Sequence, residues 1–539
     1  MRRLLLSLAL LVAVSANAQE DDWQRGYEQY KKQAMQEYED YRKQCLAEYI
    51  DYVRQAWKEY GVKPPVEPPK EKRVIMPVLG ADSDAETASW FGDLVKGIAQ
   101  KVGQPLRRLG EKKRRNKSEP LPVKEVVEIP HEPQPQPLSE VVAQQEEPND
   151  YDVFTVYGTT FRVRFGNNCR FRLNSVSEND VADAMRLFLK PQFDNMLYDC
   201  LQERQRHGLS DWAYYQMLKA FTDRVYGEKS NEATLVLSYL FSGSGYKVRM
   251  ARDDDRKLYM MVSSQYSIYR KYAAYLDGAD FYFLDDDAGS KSVVLICEAR
   301  FPKEGSLSLQ IPAVQQLGVQ YSDERTITSW AKNQDFSFTV RSNKNYLSFI
   351  DTYPDGQFSG KPMTRWAIRA NTPMEKSVAE QLYPQMREKL KGLSRPDAVN
   401  QLLWWIQWGL KYEYDEKLWG RDRVFFAEES LFYPYCDCED RAILLSRLVR
   451  DLLGLDVLLL YYENGVLPDG SPAGGHMASA VCFPDEDGVE GDFIPHVGKK
   501  FYVCDPTIIN GEGNIGVTMS YYAHERPTVV LLERTSLKE

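Results

Sequence analysis

Residues 433–462 contain a change of hydrophobic period that limits the folds open to this chain. The segment reads YPYCDCEDRAILLSRLVRDLLGLDVLLLYY. Apolar side chains recur at helical spacing through its middle, at Ala442, Leu445, Leu448, Val449 and Leu452. Gly454 then ends the helical pattern, and residues 456–462 form the short apolar run of a buried strand. The sequence therefore predicts a buried helix followed at once by a buried strand, in a domain of α+β class.

Cys438 stands at the start of this predicted helix, where the backbone favours an ionised thiol. The thiolate is the nucleophilic form, and a free thiol near neutral pH is mostly protonated. The partial positive charge of a helix N-terminus lowers the pKa of a thiol, and its N–H groups can hold the oxyanion of an acyl intermediate. Cys438 is therefore the candidate nucleophile, whereas Glu439 and Asp440 are expected to complement the helix dipole.

Two further residues can complete a catalytic triad with that thiol. The chain has five histidines, and His476 opens GGHMASAVCF, a Gly-Gly turn that leads into a predicted strand. Asp505 ends the next predicted strand, FYVCDPT. A Cys at a helix start, a His that opens a strand and an Asp that ends the neighbouring strand can converge in space. In that arrangement Asp505 orients the imidazole and stabilises its charged form.

At these residues the sequence resembles the transglutaminase-like superfamily, a branch of the papain-like cysteine peptidases that includes bacterial transglutaminase-like domains. The family's nucleophile precedes Glu-Asp, an Ala and a Leu-rich helix, as in CEDRAILL from Cys438. Its His begins a strand, as in residues 476–478, and its Asp precedes Pro-Thr, as in residues 505–507. The resemblance covers about residues 375–525. It implies a papain-like C-terminal domain, the triad roles and thiol-dependent acyl chemistry.

The resemblance also implies a helper residue and exposes one departure. Related enzymes have a polar or aromatic side chain before the nucleophile that assists the oxyanion, and Gln407 in WWIQWGLKYEYD is its counterpart here. The family often has Gly-Asp before the nucleophile, where this chain has Cys436-Asp437. We expect Cys436 to be a small buried residue. A disulfide to Cys504 or Cys482 is the alternative, because a bridge to Cys438 itself would be strained.

A metal site is the competing interpretation of the same region. Cys436, Cys438, His476 and Cys504 offer sulfur and nitrogen ligands. The spacings of the usual zinc motifs are absent, however, and a zinc site leaves the Asp-Pro-Thr motif unexplained. The sequence therefore predicts neither a metal nor an organic cofactor.

Residues 1–18 are predicted to be a signal peptide. Arg2 and Arg3 precede a short apolar run, and Ala16-Asn17-Ala18 forms an A-x-A cleavage site. We therefore expect export, to the periplasm or the medium, with no membrane span after cleavage. The formal net charge of −10 argues against nonspecific binding of nucleic acid.

Residues 19–61 carry an eleven-residue repeat that is typical of a long helix. The units are DDWQRGYEQYK, KQAMQEYEDYR and KQCLAEYIDYV, followed by a partial RQAWKEYGV. The aromatic columns keep one stripe on one helical face, and the period predicts a straight or right-handed coiled coil that Gly61 ends. Tyrosine buries its ring while its hydroxyl stays wet, which suits a protein partner. Packing against the rest of the chain is the alternative.

The remainder divides into a Pro-rich, charged linker (62–149), a mixed α+β region (150–300), a β-rich region (301–372) and the catalytic domain (373–539). Within the β-rich region, FSFTV and YLSFI are both expected to be strands. Residues 230–252 repeat the helix–Gly–strand pattern of residues 438–462, with Ser230 or Asn231 in place of the thiol. We hypothesise a degenerate transglutaminase-like domain there. A generic helix–Gly–strand unit is the alternative.

These observations predict an exported cysteine peptidase or amidase that acts on a peptide or protein. Cys438 attacks an amide carbonyl, His476 carries the proton, and water resolves the thioester. Resolution by an amine gives a true protein cross-linking transglutaminase instead. A catalytically silent scaffold or binding protein of the cell envelope is the third possibility.

Overall fold

A computed structural model describes residues 57–61, 120–130, 133–137, 141, 150–253, 256–284, 293–297, 303–329, 335–467, 470–507 and 513–533. Helices and strands are mixed along the chain, so the α+β class predicted from the sequence is confirmed. The α-helices are α1 (Glu178–Leu187), α2 (Pro191–His207), α3 (Asp211–Tyr226), α4 (Asn231–Gly243), α5 (Lys344–Asp351), α6 (Thr364–Asn371), α7 (Lys376–Leu390), α8 (Arg395–Gly409), α9 (Asp415–Trp419), α10 (Ala427–Phe432) and α11 (Cys438–Leu453). No helix of the described ranges is both long and apolar enough to cross a membrane.

The strands of the described ranges fall into two large sheets and several short pairs. They are β1 (Trp57–Gly61), β2 (Glu125–Val127), β3 (Tyr151–Val156), β4 (Thr159–Arg164), β5 (Val248–Arg252), β6 (Leu258–Ser263), β7 (Tyr266–Ile268), β8 (Ala273–Leu276), β9 (Ala279–Phe283), β10 (Val293–Cys297), β11 (Arg325–Thr328), β12 (Ser337–Val340), β13 (Gly356–Phe358), β14 (Lys411–Tyr412), β15 (Tyr435–Cys436), β16 (Val457–Val466), β17 (Pro472–Cys482), β18 (Phe493–His496), β19 (Lys499–Cys504) and β20 (Thr528–Leu531).

The two six-stranded sheets have the same strand order. The first runs β1-β10-β5-β6-β9-β8, and the second runs β2-β20-β16-β17-β19-β18. In each, a helix (α4 or α11) leads into a central antiparallel hairpin, an outer hairpin follows, and the last strand returns to the opposite flank. One edge differs, because β1 is antiparallel to β10 whereas β2 is parallel to β20. Apart from that edge strand, the two sheets share one topology.

The elements before each sheet also correspond. The β3–β4 hairpin packs on α2 and α3, as the β11–β12 hairpin packs on α7 and α8. Both helix pairs are joined through Gly-Leu-Ser. Gly208 and Gly392 adopt left-handed φ values of 59° and 81°, which glycine reaches without strain. Ser210 and Ser394 then cap the next helix, each accepting a backbone N–H of the first turn.

The strand registers reveal what the first sheet has at the positions of the predicted triad. In each sheet, the first pair after the helix joins two valines. Counted back along the chain by the same number of residues from this valine pair, the position of His476 in the second sheet corresponds to that of Lys257 in the first. The outer registers align FYFLD (281–285) with FYVCD (501–505). The first half thus repeats the strands without an imidazole at that position.

Three expectations from the sequence are wrong in part. The helix predicted for residues 19–61 ends in a strand, because β1 pairs with β10. The rest of that helix lies outside the described residues, as does the signal peptide. Part of the predicted linker, β2, is an edge strand of the second sheet. The region 301–372 is not β-rich, since it contains α5 and α6.

YLSFI illustrates the physical reason for the last error. The segment alternates weakly, but Tyr346, Leu347, Phe349 and Ile350 are also spaced to share one helical face, and all four are buried. Asn343 caps the helix by accepting the backbone N–H of Asn345. FSFTV, in contrast, contains β12 as predicted.

A glycine pair tests the packing of residues 133–137 on the first half. Gly245 and Gly278 have φ values of 98° and 77°, so alanine meets similar backbone strain at both. A Cβ at Gly245 would lie 1.9 Å from the backbone oxygen of Gln136, whereas one at Gly278 has open space. Gly245→Ala should therefore lower the free energy of unfolding by about 1–3 kcal/mol more than Gly278→Ala. Equal losses in chemical denaturation would contradict this packing.

Candidate active site

The helix that begins at Cys438 starts where the sequence predicts, with Asp440 of its first turn as a cap. The Asp440 carboxylate accepts the backbone N–H of Asp437 at 3.2 Å and that of Phe425 at 2.9 Å. These bonds satisfy donors that a buried helix end would otherwise leave unpaired. Gly454 ends the helix in the left-handed conformation, as expected. The thiol thus lies in the first turn of a helix whose N-terminus is buried.

His476 and Asp505 meet at the ends of neighbouring strands, β17 and β19. His476 Nε2 lies 2.7 Å from Asp505 Oδ2, and both side chains are buried, at 1% and 2% exposure. Thr507 N donates to the second carboxylate oxygen at 2.9 Å. Nδ1 of His476 has no hydrogen-bond partner within the described part of the chain. Asp505 therefore orients the imidazole and leaves Nδ1 as its available nitrogen.

Contacts of α11 place the thiol's helix against this pair. Ser479, on the strand of His476, donates to the carbonyl of Ala442 at 3.2 Å. Arg441 donates to the carbonyl of Pro506 at 3.4 Å, directly after Asp505. The thiol of Cys438 itself donates to Glu439 Oε2 at 3.1 Å. The three predicted triad residues thus occupy one buried region, with the thiol's hydrogen bond directed to Glu439.

Gln407 lies beside the predicted triad, but its amide is engaged by the backbone. Its Nε2 donates to the carbonyl oxygen of Asp505 at 2.8 Å, and the side chain is buried. A Cβ at Gly513 would come within 2.3 Å of the same nitrogen, so the close approach of this loop needs glycine. The contact shows that Gln407 holds the end of β19. Its role at the oxyanion stays a prediction.

Tyr522 is a site residue that the sequence analysis missed. Its ring stacks on that of His476, with centroids 5.0 Å apart and planes at 25°. Its hydroxyl donates to the carbonyl of Gly474 at 3.1 Å. Burial raises the pKa of Tyr522 far above its usual value, and negative charge on Cys438 and Asp505 raises it further. Tyr522 is therefore a neutral aromatic cover over the imidazole.

Carboxylates crowd the thiol on its other side. Oxygen atoms of Asp415, Asp422 and Glu439 lie within 4.8 Å of one another, and so do those of Asp415, Asp437 and Asp440. Such oxygen donors are the residues here that could hold a hard cation such as Ca²⁺ or Mg²⁺. The protein also supplies donors to these carboxylates. Arg365 lies 2.6 Å from Asp422, and the backbone N–H of Arg423 donates to Asp415 at 2.6 Å.

The four residues of the competing zinc interpretation do not form one ligand group. Cys436 donates to the carbonyl of Lys411 at 3.7 Å, and Cys504 donates to that of Tyr502 at 3.5 Å. Burial raises the pKa of Cys436 to about 11 and raises that of Cys504 as well, whereas zinc binds thiolates. Both thiols are free and buried, so Cys436 is the small buried residue that the sequence predicts.

No family model and no curated protein matches this chain. The class of the site therefore rests on its own geometry: a buried thiol at a helix N-terminus, next to a hydrogen-bonded His–Asp pair.

Glu428, in the helix before the nucleophile, gives the fold a pH dependence. Burial raises its pKa from 4.5 to about 8, and the neighbouring carboxylates of Glu375 and Glu429 add to the shift. The folded state thus holds this proton more tightly than the unfolded state. The stabilisation of the folded state by this bound proton is complete below the pKa of Glu428 in the unfolded chain, and it is lost as the pH rises to about 8.

Glu428→Gln should remove that dependence, because glutamine keeps the shape without titrating. Relative to the variant, the wild-type protein should lose free energy of unfolding between pH 4.5 and about 8. Urea denaturation at several pH values measures the difference. Glu388→Gln, at an exposed position of α7, is the matched control. A difference between wild type and Glu428→Gln that stays constant with pH contradicts the assignment.

Proposed function

We propose that this chain is a cysteine-dependent amide hydrolase of the transglutaminase-like superfamily, with Cys438, His476 and Asp505 as its triad. The observation that carries the proposal is the 2.7 Å contact between His476 Nε2 and Asp505 Oδ2, formed beside the helix that begins at Cys438. A carboxylate on Nε2 fixes the tautomer of the imidazole. It also stabilises the imidazolium that forms when the ring takes a proton.

The orientation of His476 assigns the proton transfers to Nδ1. Catalysis requires the sulfur to turn from Glu439 towards Nδ1, which then takes the thiol proton. The thiolate attacks the amide carbon, and backbone N–H groups of the first helical turn stabilise the oxyanion. The imidazolium protonates the leaving amine. Water, activated by the same nitrogen, then hydrolyses the thioester and releases the acid.

The proposed substrate is a peptide or protein, and the proposed location is outside the cytoplasm, on the strength of the sequence of residues 1–18. Attack of an amine on the thioester would yield cross-linking instead of hydrolysis. The order Cys, His, Asp along the chain and the packing of α11 on β17 support membership of the papain-like group. The hydrogen bond from Ser479 to the carbonyl of Ala442 is one contact of that packing.

We also propose that residues 150–300 are a copy of the same fold without catalytic activity. The shared strand order, the two hairpins and the two Gly-Leu-Ser junctions support a common origin. The copy lacks the necessary chemistry, because α4 begins at Asn231 after Ser230 and Lys257 stands at the position of His476. Asn231 instead accepts the backbone N–H of Leu258 at 2.8 Å, which ties the helix to the sheet.

A catalytically silent binding protein is the second candidate, and one observation favours it. The thiol of Cys438 donates to Glu439 at 3.1 Å, and Asp437 and Asp440 add further carboxylates at the same helix end. Negative charges near a thiol disfavour its ionisation. Reactivity of Cys438 near neutral pH therefore separates the two candidates.

Labelling with a thiol-directed electrophile at pH 7 provides that measurement. The wild-type protein should react at Cys438, Cys438→Ala should lose the labelled peptide, and His476→Ala and Asp505→Asn should react at least about tenfold more slowly. Cys482→Ala, at the other end of β17 from His476, and His496→Ala, at the end of β18, are the controls and should match the wild type. Equal labelling of the wild type and Cys438→Ala would reject the nucleophile.

Glu439→Gln tests the resting hydrogen bond of the thiol. The substitution keeps the acceptor oxygen and removes one negative charge 3.1 Å from the sulfur. If the thiolate is the reactive form, loss of that charge should raise the labelling rate at pH 7 by up to about tenfold, the equivalent of one pKa unit. Glu388→Gln is again the matched control. A slower rate in Glu439→Gln would mean that the carboxylate activates the thiol.

A further inference from the structure

A cavity of about 580 Å³ lies between the two halves of the chain. One wall comes from the first half, through α3, residues 269–271 and Leu284. The other comes from residues 350–355 and 421–429 with Arg369. Its described lining includes none of the triad residues, so the cavity is distinct from the site of the proposed chemistry.

The lining of this cavity is basic in an otherwise acidic protein. Its described residues include four carboxylates and seven basic side chains, whereas the whole chain has a net charge of −10. The basic residues are Lys219, Lys229, Arg270, Lys271, Arg369, Arg421 and Arg423. Such a cavity attracts a negatively charged ligand.

Each of the four lining carboxylates is already paired with an arginine. Arg423 binds Asp351 at 3.1 Å and Glu429 at 2.5 Å. Arg369 binds Asp355 at 2.9 Å, and the buried Arg365, behind the wall, binds Asp422 at 2.6 Å. These ion pairs fix the wall that the second half forms.

Two exposed guanidiniums complete the basic surface. Arg270 and Arg421 are exposed, and neither forms an ion pair with any described residue. Each can therefore bind a carboxylate of a ligand without first breaking such a pair.

Aromatic rings form the floor of the cavity, and their polar ends are bonded elsewhere. Tyr269 donates its hydroxyl to Gln357 at 2.7 Å, and Tyr353 donates to the carbonyl of Leu309 at 2.7 Å. Trp212 donates to Thr352 at 3.3 Å. The rings therefore offer apolar surface to a ligand. A basic rim above an aromatic floor fits a peptide segment that carries both acidic and apolar side chains.

Asp422 connects this cavity to the proposed nucleophile. Asp422 lines the cavity, and its carboxylate lies within 4.8 Å of that of Glu439, whose Oε2 is 3.1 Å from the sulfur of Cys438. An extended peptide advances about 3.3–3.6 Å per residue. The cavity wall is thus about two to three residues from the thiol, the distance of a neighbouring subsite.

We propose that the cavity is a substrate subsite that binds an acidic segment of the polypeptide, two or three residues from the amide that Cys438 attacks. The assignment rests on the proposed function. It also gives the first half a role, because that half supplies Trp212 and Tyr269 of the aromatic floor and four of the seven basic lining residues without supplying a nucleophile.

The test measures binding to full-length Cys438→Ala protein, which cannot turn the substrate over. A fluorescent peptide of alternating Glu and Phe is compared with its Lys–Phe counterpart by anisotropy. The acidic peptide should bind and the basic one should not. Arg421→Glu and Arg270→Glu should each weaken binding about five- to tenfold, and added salt should weaken it further. Lys389→Glu, an equal charge change at an exposed position of α7, should have no effect.

Several outcomes would overturn the subsite. One is equal binding by Arg421→Glu, Arg270→Glu and Lys389→Glu, with unchanged unfolding temperatures. Another is displacement of the peptide by inorganic phosphate at matched concentration, which would indicate a small-anion site. A third is a normal rate of Cys438 labelling with no binding of the acidic peptide. Conversely, charge-dependent binding without labelling would leave the cavity as a peptide site and reject the hydrolase.

Discussion

The buried N-terminus of α11 is the constraint on which the candidate site depends. Arg441, fully buried in its first turn, donates to the carbonyl of Leu410 at 2.6 Å and to that of Pro506 at 3.4 Å. A buried guanidinium without acceptors would be costly, so these bonds fix the end of α8 and the residue after Asp505 relative to the thiol. One side chain thus sets the distance between the helix of Cys438 and the end of the strand that leads to Asp505.

Local patterns were sufficient to predict the parts of the site that lie within single elements. The start of α11 at Cys438, its end at Gly454 and the strands that hold His476 and Asp505 each have a short-range signal. The residues that modify the chemistry come from other segments of the chain. Tyr522 covers His476, and Asp415 with Asp422 crowds Glu439, yet no periodicity or motif marks any of them. Their positions are set by tertiary packing, which a single sequence does not encode locally.

The predictions of the fold failed where a helical and a strand period both fit the same residues, or where a strand pairs with residues far away in the sequence. YLSFI is short enough to suit either a strand or a helix, and the cap at Asn343 decided the outcome. β1 and β2 join sheets formed hundreds of residues later in the chain. Edge strands of this kind are chosen by an available row of backbone donors and acceptors, not by the sequence around them.

The repeated strand order has a consequence for how the chain reaches its native state. Each central hairpin needs a helix packed on one face and a paired strand on each side, and either half of the chain provides both. In an incompletely folded chain, each hairpin can therefore pack in either of two places, and a neighbouring molecule offers two more such places. Exchange of equivalent hairpins is a characteristic failure of repeated domains. The two halves have diverged, since α4 has 13 residues and α11 has 16, and the edge strands run in opposite directions. These differences favour the packing of each hairpin in its own half.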